Sequence, residues 1–319
     1  MIDGEGWFNT SALKEILPKT LAVGWSGGLD STALLLSLHQ QGFSVQAWHV
    51  DHAWHAHSAE DALLLEQRAQ SWGIPFLSMR LTQASQSNRE AQARQGRYDS
   101  FHCLSHETGV KHLALAHHAD DQAETVCMRM LQGAGVMGLR GMRPHTAMQG
   151  LHLYRPLLHV RRNILKQALQ ASDIPWLEDA SNADMRLWRN KLRLCMLPAI
   201  QAQGVDSHQL WMRWQQQAIR LSKEIEEGLK NITIKDEKGG CWIDYPSWHL
   251  LQLPMRVQVI QRMAAMSLGA GKVLGRRHMT LIECWRQKGA HAGLDLSGCR
   301  LYRQGEGLHL QARAATSRL

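Results

Sequence analysis

The chain contains no CxxC pair, and its six cysteines (Cys103, Cys127, Cys195, Cys241, Cys284 and Cys299) are scattered along it. A disulfide framework, a structural zinc site and an iron–sulfur cluster therefore lack their usual ligand spacing. No run of about 18 apolar residues occurs, so no membrane-spanning helix is expected. The opening MIDGEGWFNTSALKEIL puts acids before any base and has no small-residue cleavage site after an apolar stretch. It does not read as a signal peptide, and a cytoplasmic location is the expectation. Internal repeats and low-complexity tracts are absent too. What remains is a globular composition, 44% hydrophobic and 20% charged, over 319 residues. That length has room for two domains.

The net charge of +8 is unevenly spread. Residues 1–128 hold 8 Lys+Arg against 14 Asp+Glu, residues 129–205 hold 11 against 4, and residues 206–319 hold 17 against 10. An acidic first segment is followed by two basic ones. A polyanion such as RNA would be held by the later segments, although a generic basic surface gives the same count.

Apolar periodicity gives strands at Leu21–Ser26, 43–51, 74–81 and 110–118, alternating with helices at Ser31–Gln41, Ser58 to Gly73, Arg89–Thr108 and Ala119–Gln132. Gly42 stands where a left-handed helix cap is usual, and Ser58 with Asp61 has the spacing of a capping box. This alternation predicts an α/β fold, a parallel sheet with helices on both faces. A Gly-rich loop (133–144), an apolar piece at Leu151–Leu158 and helical stretches near 161–171 and 185–202 follow. Gln209–Lys230 reads as one longer helix, and the tail as short strands separated by Ser-Gly and Gly-Glu-Gly turns. The expected organisation is a catalytic domain over 1–205, a linker helix over 206–235 and a small α+β accessory domain over 236–319.

The sharpest motif is Ser26-Gly27-Gly28-Leu29-Asp30-Ser31, at a strand-to-helix junction. Two glycines let the backbone close around an anion, and the first N–H groups of the helix point at it. Hydroxyls of Ser26, Ser31 and Thr32 add donors. No Gly-Lys-Ser/Thr ending follows, so this is not a Walker loop. SGGxDS resembles instead the PP-loop of ATP pyrophosphatases, which grip the β,γ-diphosphate and release it whole. A second motif, His117-His118-Ala119-Asp120-Asp121-Gln122-Ala123-Glu124-Thr125, ends the fourth strand. On a helix, Asp120 and Glu124 fall at i,i+4 and Asp121 and Glu124 at i,i+3, so the three carboxylates share a face. Such a face calls for a cation, and ATP brings Mg²⁺, an ion that takes oxygen ligands. A carboxylate there could also deprotonate an attacking amine.

At this point the sequence resembles a known family. HHADDQAETVCMRMLQGAGVMGLRGM is similar to the signature of tRNA(Ile)-lysidine synthases, members of the PP-loop ATP pyrophosphatase (adenine nucleotide alpha hydrolase-like) superfamily. NREAQARQGRY (Asn88–Tyr98), Arg155-Pro156-Leu157-Leu158 and WLEDASNADMRLWRNKLR (Trp176–Arg193) look like further blocks of that family. The resemblance covers residues 20–200 strongly and the remainder loosely. It implies ATP-dependent adenylation of the ring carbonyl of the wobble cytidine in the isoleucine tRNA with anticodon CAU, then displacement of AMP by L-lysine. Lysidine so formed switches decoding from AUG to AUA.

By the same resemblance Ser26, Gly27, Gly28, Leu29, Asp30 and Ser31 bind ATP. Asp30, Asp120, Asp121 and Glu124 are catalytic, Asp30 and Asp121 hold Mg²⁺, and Arg94, Arg97, Arg189, Asn190 and Arg193 meet the tRNA. It implies a short form with one accessory domain and leaves a homodimer open. One departure stands out: after Val50-Asp51-His52 the family continues Gly-Leu-Arg, whereas this chain has Ala53-Trp54-His55.

Weaker features point elsewhere. His49, His52, His55 and His57 cluster, but strand alternation would scatter them, so no zinc site is expected. Trp211 and Trp214 on the linker helix could stack on bases, with packing the preferred reading. Cys103 and Cys127 are expected in the core. A thiolase of the same superfamily would want a cysteine pair that is missing, a non-enzymatic tRNA binder would need neither motif, and amidotransferase-type synthetases would leave the basic segments unexplained.

Overall fold

The computed structural model describes residues 15–52, 58–81, 89–178, 185, 188–269 and 273–313. Two compact units emerge, one formed by Met1–Met128 with Gly141–Met212 and the other by Arg129–Arg140 with Arg213–Leu319.

The first unit is built on a six-stranded sheet of order β3-β2-β1-β4-β6-β5. Its strands are β1 (Thr20–Gly24), β2 (Ser44–Asp51), β3 (Phe76–Arg80), β4 (His112–Ala114), β5 (His145–Met148) and β6 (Leu151–Tyr154). Five run parallel, and only the edge strand β5 is antiparallel to its neighbour. The hairpin β5–β6 turns through Gln149 and Gly150, both at positive φ (49° and 87°), the pattern of a two-residue turn whose twist matches the strands.

Alternate residues feed two cores. Leu21, Val23, Val45 and Ala47 pack with α1 (Leu29–Gln40), α2 (Ser58–Ser71) and α6 (Arg162–Ala171) through Leu34, Leu65 and Leu165. Ala22, Trp48, Leu113 and Leu153 face α3 (Arg89–Thr108) through Tyr98, Phe101 and Leu104. The expected α/β sheet covered on both faces is what forms.

Some local expectations are refined. The fourth strand is three residues long, its pairing with β6 ending at Tyr154, whose carbonyl accepts from the Leu115 N–H at 2.8 Å. Gly42 and Gly73 take positive φ as helix-ending glycines should (82° and 68°). Ser58 opens α2, yet its hydroxyl donates to Asp51 Oδ2 at 3.3 Å. Cys127 is buried as expected, but Cys103 is exposed, lying on the solvent side of α3. Trp211 is buried and Trp214 is 45% exposed. Of the expected helix over 185–202, residues 188–202 are helical, with a π-turn at Leu192–Met196 between α7 (Trp188–Lys191) and α8 (Leu197–Ala202).

The second unit holds a five-stranded antiparallel sheet of order β7-β8-β11-β10-β9. Its strands are β7 (Lys235–Glu237), β8 (Gly240–Asp244), β9 (Leu294–Leu296), β10 (Cys299–Gln304) and β11 (Gly307–Ala312). The helices α10 (Tyr245–His249), α11 (Leu253–Leu268) and α12 (Arg276–Gln287) belong with it. Its core joins Cys241, Ile243, Leu301, Leu308 and Leu310 of the strands to Ile260 and Met263 of α11 and Ile282 and Trp285 of α12. Helix α9 (Ser207–Gly228) leads into this unit and contributes Ile225. The Gly-rich loop after α4 (Ala119–Leu131) forms one helical turn, α5 (Val136–Leu139), and Val136 and Met137 pack on the second core. Residues 129–140 thus fold with the tail.

Candidate active site

Strand order reverses between β1 and β4: the chain goes from β1 outward to β2 and β3, then returns to place β4 on β1's other side. In open α/β sheets the crevice beyond the carboxyl ends of strands at such a point is where ligands bind. Both sequence motifs lie there, the first after β1 and the second after β4.

The first loop is held from within. Ser31 Oγ accepts from the Ser26 N–H at 3.2 Å, lies 3.1 Å from Ser26 Oγ and donates to the Gly28 carbonyl at 3.1 Å. Trp25 Nε1 donates to Thr32 Oγ1 at 3.0 Å, and Thr32 Oγ1 donates to the Gly27 carbonyl at 3.3 Å. Gly27 has φ +79°, and a Cβ there would lie 2.6 Å from Leu65 Cδ2 and 2.9 Å from Leu177 Cδ1. Only glycine fits. Gly28 is the N-cap of α1, so the first-turn N–H groups from Leu29 onward face the crevice without intrahelical acceptors. That is an anion cradle.

His118, 1% exposed, links this loop to the second motif. Its Nε2 lies 3.7 Å from Asp30 Oδ2 and 3.4 Å from Asp121 Oδ2. Its Nδ1 accepts from the Asp121 N–H at 3.2 Å, which in the neutral ring puts the proton on Nε2, facing both carboxylates. Burial pushes the imidazole down, but the Asp30 hydrogen bond and the charges of Asp121, Asp30 and Asp120 outweigh it and hold it above its ordinary value. Burial pushes Asp30 up, and His118 together with Arg162 more than reverses this, holding the carboxyl low.

Arginines balance the remaining acids. Arg162 Nε donates to Asp30 Oδ1 at 3.2 Å, Arg161 Nε to Asp120 Oδ1 at 3.0 Å, and the Arg162 N–H to Asp120 Oδ2 at 2.8 Å. Arg189 bridges Glu124 Oε2 (2.8 Å) and Asp121 Oδ1 (2.7 Å), and Arg193 grips both oxygens of Glu124 (2.7 and 2.9 Å). Glu124 is only 2% exposed. The carboxylate face inferred from helical spacing therefore exists, with guanidinium groups as its resident counter-charges. The π-turn beginning at Leu192 sits where Arg189 and Arg193 must both reach one carboxylate.

All predicted loop residues, the four carboxylates, Arg189 and Arg193 thus gather at one crevice, and the buried Asn190 lies between the two arginines in the chain. Arg94 stacks over Tyr98 at 5.2 Å, and Arg97 Nη2 lies 3.4 Å from His52 Nε2, so both stand off the carboxylate cluster. Ala53-Trp54-His55 and His57 lie outside the described residues. Among the described residues no group of three His, Cys, Asp or Glu has metal-site geometry.

Sequence reasoning assigned no role to His118, Arg161 or Arg162. For the arginines a signal was present: two cations at the start of α6 oppose the helix dipole and need an anion. His117, which precedes His118 in the chain, has a buried Nδ1 without a partner among the described residues, and burial drives its imidazole down to about 4.

The sequence also carries this likeness to known proteins. It is 38% identical over 184 residues to the tRNA(Ile)-lysidine synthase of Chlamydia caviae, covering 57% of this chain and 58% of that one. With the enzyme of the same name from Burkholderia mallei it shares 39% over 203 residues, covering 60% of this chain and 40% of that one. The chain thus spans less than two thirds of the length of these curated relatives. Among solved structures, the U34-tRNA thiolase NcsA from Methanococcus maripaludis matches with TM-score 0.50 and 17% identity, over 63% of this chain and 72% of that one, a likeness of fold. The PP-loop domain family matches residues 9–200, well over half of the chain and the whole of the crevice just described. The chain belongs to the PP-loop domain family.

Proposed function

We propose that this protein ligates L-lysine to the wobble cytidine of the isoleucine tRNA with anticodon CAU, using ATP and releasing AMP and diphosphate. One observation carries the reading: the diphosphate cradle at Ser26–Ser31 and the carboxylates of Asp120–Glu124 are tied together by His118 at a single crevice. The names of the curated relatives support the identity of the RNA and of the product.

The chain's own groups then divide the work. The α1 N-terminus and the Ser26 and Ser31 hydroxyls grip the β,γ-diphosphate, leaving the α-phosphorus open to the cytosine ring oxygen. Attack there forms the O–P bond and breaks the bond to diphosphate. Asp121 orients the lysine ammonium and takes its proton, so the freed amine attacks the ring carbon and expels AMP. Arg189 and Arg193 hold Glu124 and Asp121 in place.

Mg²⁺ suits this donor chemistry, because Asp30 and Asp121 are carboxylates that stay partly exposed at the crevice (29% and 13%) and a hard ion with water and phosphate ligands needs few protein oxygens. Asp30 and Asp121 would hold it, and it would supply charge neutralisation of the diphosphate. The basic second unit would hold the body of the tRNA. Incubation with ATP, lysine and this tRNA, followed by nucleoside mass analysis, should find lysidine at the wobble position. An unmodified cytidine there, from folded protein that binds ATP, contradicts the proposal.

A further inference from the structure

The sheet of the second unit has one buried face and one open face. Cys241, Ile243, Leu301, Leu308 and Leu310 point to the core, so strand alternation turns Trp242, Tyr302 and His309 outward. Register then lines up four residues from four strands: Lys235 opposite Trp242, Trp242 opposite His309, His309 opposite Tyr302. The rings stack along this row. Trp242 and His309 have centroids 5.9 Å apart at 19°, His309 and Tyr302 5.1 Å at 10°, and Lys235 Nζ sits 4.6 Å over the Trp242 ring. Cross-strand packing alone would account for such a row. A second feature goes beyond packing.

Beside the row lies a cavity of about 580 Å³, walled by Trp242, His309 and Ile232. It exists because Gly307 fills the next register position, between Asp244 and Gln304. A Cβ on Gly307 would lie 2.5 Å from His309 Nε2. The cavity's polar lining is mixed: Asp244 and Glu306 accept, Lys235 donates, and Asn231 and Gln304 do both. Asp244 is kept ionised by the Ser247 N–H, which donates to its Oδ2 at 2.7 Å.

We propose that this cavity binds one unpaired nucleotide of an RNA, its base against Trp242 and His309 and a phosphate toward Lys235. The inference rests on the RNA substrate proposed above. Aromatic walls accept any base, the volume suits a small planar ligand, and the second unit's excess of cations suits a polyanion. The two carboxylates add a preference, since cytosine, adenine and guanine carry an exocyclic amine that donates and uracil carries none. A base inside a duplex cannot enter, because its edge is paired and its faces are stacked.

The test uses the full chain and fluorescein-labelled RNA hexamers of C, A or U, with a duplex of equal length as control. Binding is read by anisotropy, and an iodinated pyrimidine in the hexamer reports contact by photocrosslinking and peptide mass analysis. Crosslinks should fall within 240–244 or 307–312. Trp242→Leu should weaken the C hexamer about five- to hundredfold, the scale of one lost base stack, with ATP affinity unchanged and Trp242→Phe largely restoring it. Should Trp242→Leu fail to fold, Glu306→Gln serves, because its exposed side chain has no ion pair among the described residues; it should narrow the preference for C over U. Crosslinks confined to other segments, unchanged affinity in folded Trp242→Leu, unchanged preference in Glu306→Gln, or duplex bound as tightly as hexamer each overturn the site. Failure of the wild type to make lysidine would instead sink the proposed reaction and leave these readouts intact.

Discussion

The two units treat charge in opposite ways. The first holds 17 Lys+Arg against 19 Asp+Glu, the second 19 against 9. In the first, Arg161, Arg162, Arg189 and Arg193 are spent on Asp30, Asp120, Asp121 and Glu124. In the second, Arg256 and Arg286 share Glu283, but Arg276 and Arg277 begin α12 with no ion pair among the described residues. Four arginines of the basic 129–205 stretch therefore neutralise the carboxylates of the crevice, and the surplus positive charge lies in the second unit. Paired charges in a crevice set rates and stability, while unpaired surface cations set affinity for a polyanion and its salt dependence.

Variants sharpen that contrast. The largest effect is expected for Asp30→Ala, which removes the carboxylate joining the loop to His118 and Arg162; turnover should vanish in a steady-state assay while the melting curve stays cooperative. Asp121→Asn keeps shape and loses charge, and turnover should fall roughly a hundredfold, the scale of a lost proton-transfer group. A near-normal rate would make this carboxylate structural. Glu124→Gln leaves Arg189 and Arg193 with Asp121 as their one remaining carboxylate among the described residues. Both side chains are about a third exposed, so water softens the penalty, and urea unfolding should show a loss of about 1–3 kcal/mol.

His117 gives a pH signature confined to the first unit. Its imidazole titrates near 6.5 when unfolded and is driven to about 4 by burial in the folded state. The folded state therefore binds the proton less well. Its contribution is complete above pH 6.5 and is lost as pH falls from there toward 4. His117→Gln should flatten that limb of a stability-against-pH curve by about one proton. The smallest effect belongs to the second unit. Arg276→Ala with Arg277→Ala should raise the KM for tRNA a few-fold and reduce the salt slope by up to about two counterions, leaving kcat unchanged. A fall in kcat instead would place these arginines with the chemistry.

The same contrast explains what the sequence could disclose. In the first unit each functional cluster is a short contiguous run at the end of a strand, so SGGLDS and HHADDQAET carry their geometry within six to nine residues. Periodicity found β1 to β3 and the helices between them because alternate residues face two thick cores. It overran β4, since Leu115 and Ala116 remain apolar beyond the ladder. The pairing of Arg189 and Arg193 with Glu124 was hidden, because it joins positions more than sixty residues apart. In the second unit the proposed nucleotide site rests on register. Trp242, Tyr302 and His309 share a row only through two strand pairings, and no local spacing announces that. Residues 129–140 were equally opaque, as a Gly-rich stretch gives no sign of which core its few apolar side chains will join.

In the proposed reaction the Ser26–Ser31 loop holds the β,γ-diphosphate and directs attack to the α-phosphorus. Supplying ATP labelled separately at the α- and γ-positions, with lysine and the CAU-anticodon isoleucine tRNA, and separating the products tests this directly. The expected products are labelled AMP and intact labelled diphosphate, each equal to the lysine bound to RNA. Labelled ADP and orthophosphate, made in the same dependence on lysine and tRNA, would contradict it.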